Sequence, residues 1–293
     1  MARIAVLPEG SVSHEAAVYL LGPDHEFVHY KLISDVFRAT ADGITEYSVI
    51  PIENTIEGSV NLHMDWLVHE VDLPFQVEWA FPSIQNLIGR QEEVGHDWSR
   101  IQKVLSHPVA MAQCLQFLRN NLPHVEQESV SSTSEAVRMV KNSPGQGLAA
   151  IGTLLGAKTH QLDVLAEQVT DHDNNFTRFV LVGNHPIVAD EHALRKTTML
   201  IMMPEDFPGA LHQVLAAFAW RKINLSRIES RPTKRKLGNY YFYMDIEMPL
   251  DAVLLQSAIA EIEALGFQVR ILGSYPSYSS ETWVHGDSLN LEV

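Results

Sequence analysis

Up to about residue 183, short apolar runs alternate with stretches whose apolar positions recur at helical spacing, so strands and helices take turns along the chain. The clearest strand candidates are residues 4–7, 47–52, 103–105, 148–151 and 179–182. Each of the first four runs into a polar turn and then a helical pattern. The turns read Pro8-Glu9-Gly10-Ser11, Glu53-Asn54-Thr55, Ser106-His107-Pro108 and Gly152-Thr153, and Ser131-Ser132-Thr133 opens a further helix. Strand–turn–helix units in series predict an α/β fold with mostly parallel sheets. Ligands of such sheets gather beyond the carboxyl ends of the strands, where helix N-termini present unpaired N–H groups, so an anion site is expected there. Taken singly, each Ser, Thr or Asn reads first as a helix cap: Ser132 with Glu135 forms a capping box, and Pro108 suits a first helical position. Only convergence at one sheet edge would make them a site.

The pattern changes near residue 196, after a polar stretch containing Pro186 that reads as a linker. Residues 197–203 are strand-like, 209–220 helical, 223–230 and 240–247 strand-like, 252–265 helical and 267–275 strand-like. That order is βαββαβ, a ferredoxin-like unit. Beyond 278 the chain is polar and without period. The expected division is a unit over 1–185, a linker over 186–196, a second unit over 197–278 and a mobile tail over 279–293.

Composition narrows the setting. A length of 293 residues suits two domains. With 21 Lys+Arg against 36 Asp+Glu, the net charge of −15 argues against nucleic acid or an anionic membrane as partner. Cys114 is the only cysteine, which excludes an internal disulfide and fits a reducing, cytoplasmic setting. It lies beside Met111, Leu115, Leu118 and Leu122 on one helical face, as a packing thiol would. The apolar run at residues 1–7 is too short for a signal or membrane segment and reads as a first strand.

Candidate chemistry concentrates at Asn174-Asn175-Phe176-Thr177-Arg178-Phe179, where a polar cluster enters an apolar strand. A hydroxyl and a forked guanidinium there could meet one carboxylate ligand, although Arg178 could equally be a surface ion pair. Asp171-His172-Asp173 has metal-like composition, but three adjacent residues seldom converge on one ion, and a solvated turn is the simpler reading. Glu53 and Glu57 are alternative acids that also suit a helix start. His107 is as readily structural as functional.

The Thr177-Arg178-Phe179 signature is similar to that of prephenate dehydratases, and further blocks agree in order: residues 51–60 (PIENTIEGSV), Ser106-His107-Pro108 and Ser132-Thr133-Ser134-Glu135. In the second unit, Pro208-Gly209-Ala210-Leu211 and Ile228-Glu229-Ser230-Arg231-Pro232-Thr233-Lys234 resemble the two effector motifs of that family's ACT domain. Leu7 and Val12 stand where the family favours Gly and an aromatic residue, and Thr55 where Ser is frequent. The resemblance implies a two-lobed catalytic domain like the periplasmic binding proteins, with the substrate between the lobes, followed by a ferredoxin-like ACT domain. It implies conversion of prephenate to phenylpyruvate, water and carbon dioxide without metal or organic cofactor. Thr177 would assist the departing hydroxyl and Arg178 would hold the dianion. Glu53, Asn54, Thr55, Ser106 and Ser132 would line the substrate, with Phe179 packing. Gly209, Ala210, Leu211, Glu229, Ser230, Arg231 and Pro232 would bind phenylalanine in a homodimer or homotetramer. Arogenate as substrate, and a non-catalytic ligand sensor, stay open as alternatives. An unaided threonine is a weak acid, so what surrounds the Thr177 hydroxyl decides its role.

Overall fold

The computed structural model of the chain describes residues 1–96, 98–188, 193–203, 207–232 and 240–279. Thr233 and Lys234 of the second effector motif, and 280–293 of the expected tail, lie outside the described residues.

The first lobe runs β1 (Arg3–Val6), α1 (Val12–Leu21), β2 (Glu26–His29), α2 (Ile33–Ala41), β3 (Tyr47–Asn54), β4 (Gly58–Ser59), α3 (Asn61–His69) and β5 (Phe75–Pro82). The chain then crosses into a second lobe: β6 (Asn86–Gly89), α4 (Gln91–Val94), β7 (Lys103–Ser106), α5 (Pro108–Ala112), α6 (Leu115–Asn121), β8 (Glu126–Ser129), α7 (Thr133–Asn142), β9 (Leu148–Gly152), α8 (Leu154–Thr159) and β10 (Asp163–Ala166). It returns as β11 (Phe176–Val182), which inserts between β3 and β5 of the first lobe. The second unit is β12 (Arg195–Met202), α9 (Ala210–Ala219), β13 (Leu225–Pro232), β14 (Tyr240–Ile246), α10 (Val253–Ala264) and β15 (Gln268–Tyr278), the βαββαβ order read from the sequence.

The sheets are mixed rather than mostly parallel. β1 pairs in parallel with β2 and β3, and β7 with β8 and β9, but β11 runs antiparallel to both β3 and β5, and β6 antiparallel to β9 and β10. In the first sheet the returning strand causes this, because it enters the lobe from the other direction. The helix after Pro108 is also two pieces, with Cys114 capping the second, so the thiol fills the joint between them.

The two units share one sheet. Its order is β13-β14-β12-β15-β5-β11-β3-β1-β2, with β4 on β3, and the seam is a short parallel pairing of Ser277 and Tyr278 with Glu78 and Trp79. One apolar core crosses that seam: Leu200, Tyr241, Tyr243, Leu272 and Tyr275 pack with Ile50, Ile52, Met64, Leu67, Phe75 and Val180. The opposite face of the βαββαβ sheet, with Met199, Ile201, Phe242 and Met244, is covered by α9 and α10 residues. Period-two alternation along each strand thus splits the βαββαβ sheet between its own helices and the first lobe.

Candidate active site

Thr177 and Arg178 are neighbours on β11, so their side chains leave opposite faces of the sheet. Thr177, 9% exposed, stands where the two interlobe crossings meet. Ser83 follows β5 on one crossing and Asn175 precedes β11 on the other. Ser83 N donates to Asn175 O at 2.8 Å, and Asn175 Nδ2 donates to Ser83 O at 3.1 Å. Thr177 Oγ1 lies 2.6 Å from Ser83 Oγ and accepts from Asn54 Nδ2 at 3.0 Å.

The orientation of the Asn54 amide is fixed by its own turn. Asn54 Oδ1 accepts the N–H groups of Ile56 at 2.8 Å and Glu57 at 3.0 Å, so Nδ2 must face β11, where it also reaches Asn175 Oδ1 at 2.9 Å. An oxygen that already receives Asn54, and can receive Ser83, is free to direct its own proton outward. Donors aimed at an oxygen stabilise negative charge on it, which raises the acidity of an otherwise weak acid. Gln113 Oε1 holds the far side of the cluster, accepting from Asn175 Nδ2 at 3.0 Å.

Arg178 does not stand beside that hydroxyl. Its Nη1 donates to Asp245 Oδ2 at 2.7 Å and Glu78 Oε2 at 3.0 Å, and Nη2 lies 2.9 Å from Glu53 Oε2. Burial opposes the charge of this guanidinium, but Asp245 and Glu78 outweigh it and hold the group cationic. Asp245 and Glu78 are 0% and 3% exposed, and Thr198, Lys196, Ser277 and Tyr275 complete their hydrogen bonds. Thr177 and Arg178 thus stand on opposite faces, with the hydroxyl in one cluster and the guanidinium in a buried ion cluster between the units on the other. Alternation within a strand was the sequence signal for this division.

The other expected residues divide as well. Thr55 fastens the turn to β11: its Oγ1 donates to Asn174 O at 2.6 Å and accepts Phe176 N at 3.0 Å. Glu53 faces Arg178 rather than the hydroxyl cluster. Ser106 is fully buried, its Oγ donating to Ile151 O at 2.9 Å, and Ser132 caps α7 by accepting Glu135 N at 3.0 Å. Both keep structural tasks in this arrangement. Phe179 is core, stacked against Trp79 with ring centroids 5.6 Å apart. His107 accepts Val109 N and caps α5. Asp171 accepts Gln116 N and Phe117 N at the start of α6, and among the described residues no group of His, Cys, Asp or Glu could hold a metal ion. Ser83 and Gln113 carry no role in the sequence reading: Ser83 lies between two apolar runs and Gln113 inside a helical pattern, so periodicity gives them no distinction.

Above the hydroxyl cluster the lobes touch. Thr153 Oγ1 donates to Gly10 O at 2.8 Å, and Leu155 N donates to Glu15 Oε1 at 3.0 Å, a carboxyl whose pKa burial pushes up despite that bond. Gly10, at φ 72°, would place a Cβ only 2.8 Å from Gly156 Cα. Elsewhere, a depression of about 470 Å³ is lined by Arg195, Leu250, Asp251, Gln256 and Ser274 of the second unit and holds none of the cluster.

In the second unit, Gly209 caps α9 with φ 92°, and a Cβ there would meet nothing within 4 Å. The glycine answers a left-handed turn rather than close approach of a neighbour. Ala210 is buried and Leu211 exposed, while Glu229 and Arg231 turn toward the first lobe and Ser230 and Pro232 away from it.

Fold and site together define a two-lobed α/β enzyme with a hydroxyl–amide centre between its lobe crossings and a βαββαβ unit joined to its sheet. The sequence pattern described as prephenate dehydratase matches residues 4–187, and that of the ACT domain residues 197–264. The prephenate dehydratase of Bacillus subtilis is 38% identical over 277 residues, covering 92% of this chain and 97% of its own. A prephenate dehydratase from Arthrobacter aurescens, solved in complex with L-Phe, superposes with a TM-score of 0.84 at 30% identity, covering 94% of this chain and 89% of that one. GqqA, described as a novel type of quorum quenching acylase, superposes at 0.82 with 25% identity, covering 94% and 98%. The chain belongs to the prephenate dehydratase family.

Proposed function

We propose that this chain converts prephenate to phenylpyruvate, water and carbon dioxide, with Thr177 assisting the leaving hydroxyl. The carboxylate on the ring departs as carbon dioxide, its bonding electrons move into the ring, and the ring hydroxyl leaves with its own pair. One proton is needed to release that oxygen as water. The observation that carries the reading is the Asn54–Thr177–Ser83 cluster, in which the threonine oxygen accepts one fixed N–H and can accept a hydroxyl, leaving its own hydrogen available to the departing oxygen. Aromatisation drives the reaction forward, so orientation and stabilisation of the leaving group are the enzyme's main tasks. The same cluster disfavours an acyl-transfer reading. A hydroxyl nucleophile needs a base to take its proton, and the partners of Oγ1 are an amide donor and another hydroxyl.

In this reading the catalytic unit spans 1–185 and the ACT unit 197–278, the setting is the cytoplasm, and phenylalanine is the feedback effector. β13 ends the shared sheet, and Ile228 on it is exposed, as are Leu211 and Trp220 of the neighbouring helix segment. A second copy pairing along that edge would form a homodimer or homotetramer. No helix among the described residues is long and apolar enough to cross a membrane. Purified protein is to be assayed with prephenate, arogenate and a generic acylase substrate, an N-acylated amine, with and without phenylalanine. Thr177→Val is expected to lower turnover of prephenate by about 10²-fold or more, with KM changed by no more than about threefold. Wild-type levels of turnover in the variant, or hydrolysis of the N-acylated amine alone, would remove the reading.

A further inference from the structure

β13 grips the first lobe with alternate side chains. Leu225, Arg227, Glu229 and Arg231 are half-buried, while Ser226, Ile228, Ser230 and Pro232 are exposed. Arg227 Nη2 donates to Ser59 Oγ and to Glu229 Oε2, both at 2.6 Å, and Ser59 Oγ donates to the same Glu229 oxygen at 2.7 Å. The Arg227 guanidinium also lies 4.9 Å from the centroid of the Tyr243 ring. Two residues along, Arg231 donates to the side chains of Asn61 and Asp65 at the start of α3, and to Asn61 O at 3.0 Å.

Ser59 closes the hairpin that Asn54 opens. β4 pairs back on β3 through Glu53 with Ser59 and Asn54 with Gly58, and the Asn54 amide that forms the turn also donates to Thr177. Residues 54–59 therefore run from the reactive hydroxyl to the regulatory strand with a hydrogen bond at each end. Charge-assisted hydrogen bonds from arginines with little exposed side chain are stronger than neutral ones, and Arg227 Nη2 serves both Ser59 and Glu229 at once.

We propose that the Ser59–Arg227–Glu229 and Arg231–Asp65 contacts form a clamp that positions Asn54 against Thr177, and that this clamp carries the effector's influence to the catalytic centre. Ser59, Asn61 and Asp65 gain a positioning role, and the second effector motif divides in two. Glu229 and Arg231 hold the catalytic unit of their own chain, leaving Ser230, Pro232 and the free edge of β13 to meet an effector or a second copy. The effector half rests on the phenylalanine reading above; the positioning half does not. An effector acts here only by preferring one setting of β13 over another, and a displacement near 1 Å at Asn54 is enough to alter catalysis strongly.

Arg227→Met in the full chain keeps an apolar stem over Tyr243 and removes the donors to Ser59 and Glu229. The expected result is a kcat about tenfold lower with KM within about twofold. Amide exchange across residues 54–60 is expected to be about tenfold faster, with residues 103–106 and 148–152 unchanged. Maximal inhibition by phenylalanine is expected to fall about fivefold while its calorimetric Kd stays within about twofold. Asp65→Asn, a milder change, should move every readout the same way, so a folding defect in one variant leaves the other decisive. Unchanged exchange at 54–60 together with wild-type kcat in both variants overturns the clamp. If the wild-type chain binds no phenylalanine, the effector reading fails by itself, and kcat with exchange at 54–60 still decides for or against the positioning role.

Discussion

Asn54 forms its turn with one amide atom and supports Thr177 with the other. A carboxylate at this position would still accept the turn N–H groups but could not donate to the hydroxyl. Asn54→Asp is therefore expected to cut kcat by about 10²-fold while the fold persists, checked by steady-state kinetics beside a thermal melt. His14 offers a test at the rim. Its Nδ1 accepts Gly10 N at 3.1 Å, and burial, with His29 nearby, lowers its pKa from 6.5 to about 4. The unfolded chain binds this proton more readily between those values, so the contribution to stability is complete above pH 6.5 and is lost as pH falls toward 4. Urea denaturation across that window should find the stability gap between wild type and His14→Asn narrowing as pH falls. The buried Cys114, whose thiol is pushed up to about 12 by burial and then by Asp171, is the packing residue its apolar neighbours implied. Thr177 and Asn54 were legible through motif likeness. Ser83 and Gln113 were not, because a lone hydroxyl between apolar runs and a lone amide on a helix have no periodic signature, and only the crossing of the two interlobe segments brings them together.

Along β11, alternation gives one strand two unlike tasks. Thr177 belongs to the hydroxyl cluster and Arg178 to the ion cluster with Glu78 and Asp245. Removing the cation would leave two buried carboxylates close together, a change that typically costs about 3–5 kcal/mol. Arg178→Met should therefore lower stability by roughly that amount in urea denaturation. A large rise in KM with unchanged stability would instead return Arg178 to the substrate. Strands were legible where they are apolar throughout, as in β1, β3 and the second half of β11. β8 (EQES) is largely exposed and polar and so presents no apolar alternation, whereas β5 (FQVEWAFP) does alternate, with Phe75, Val77, Trp79 and Phe81 on one face and Glu78 on the other. The mixed direction of the sheets was illegible for another reason: a strand's direction depends on how the chain re-enters a lobe, which no local pattern records.

Across the whole molecule, the βαββαβ unit is bonded into the catalytic sheet and shares its core. Gly273 of β15 sits against β5, where a Cβ would lie 2.5 Å from Phe75 O and 2.9 Å from Phe75 Cβ. Scanning calorimetry of the wild-type chain should yield one cooperative transition. Gly273→Val, by wedging the seam, should split it in two or shift the earlier phase downward by about 5 °C or more. The βαββαβ order of the second unit could be read from hydrophobic period alone, but its fusion to the first could not, since that depends on two residue pairs at the end of β15.

That fusion bears on heredity. β5 has β11 on one side and β15 on the other. A premature stop codon soon after residue 185 would bare both the edge of β5 and the apolar face now covered by Leu200, Tyr241, Tyr243 and Leu272. An open strand beside uncovered apolar surface invites aggregation. Under the feedback proposed above, escape by simple loss of the C-terminal unit is thus expected to leave insoluble protein, so viable deregulated alleles should be point substitutions.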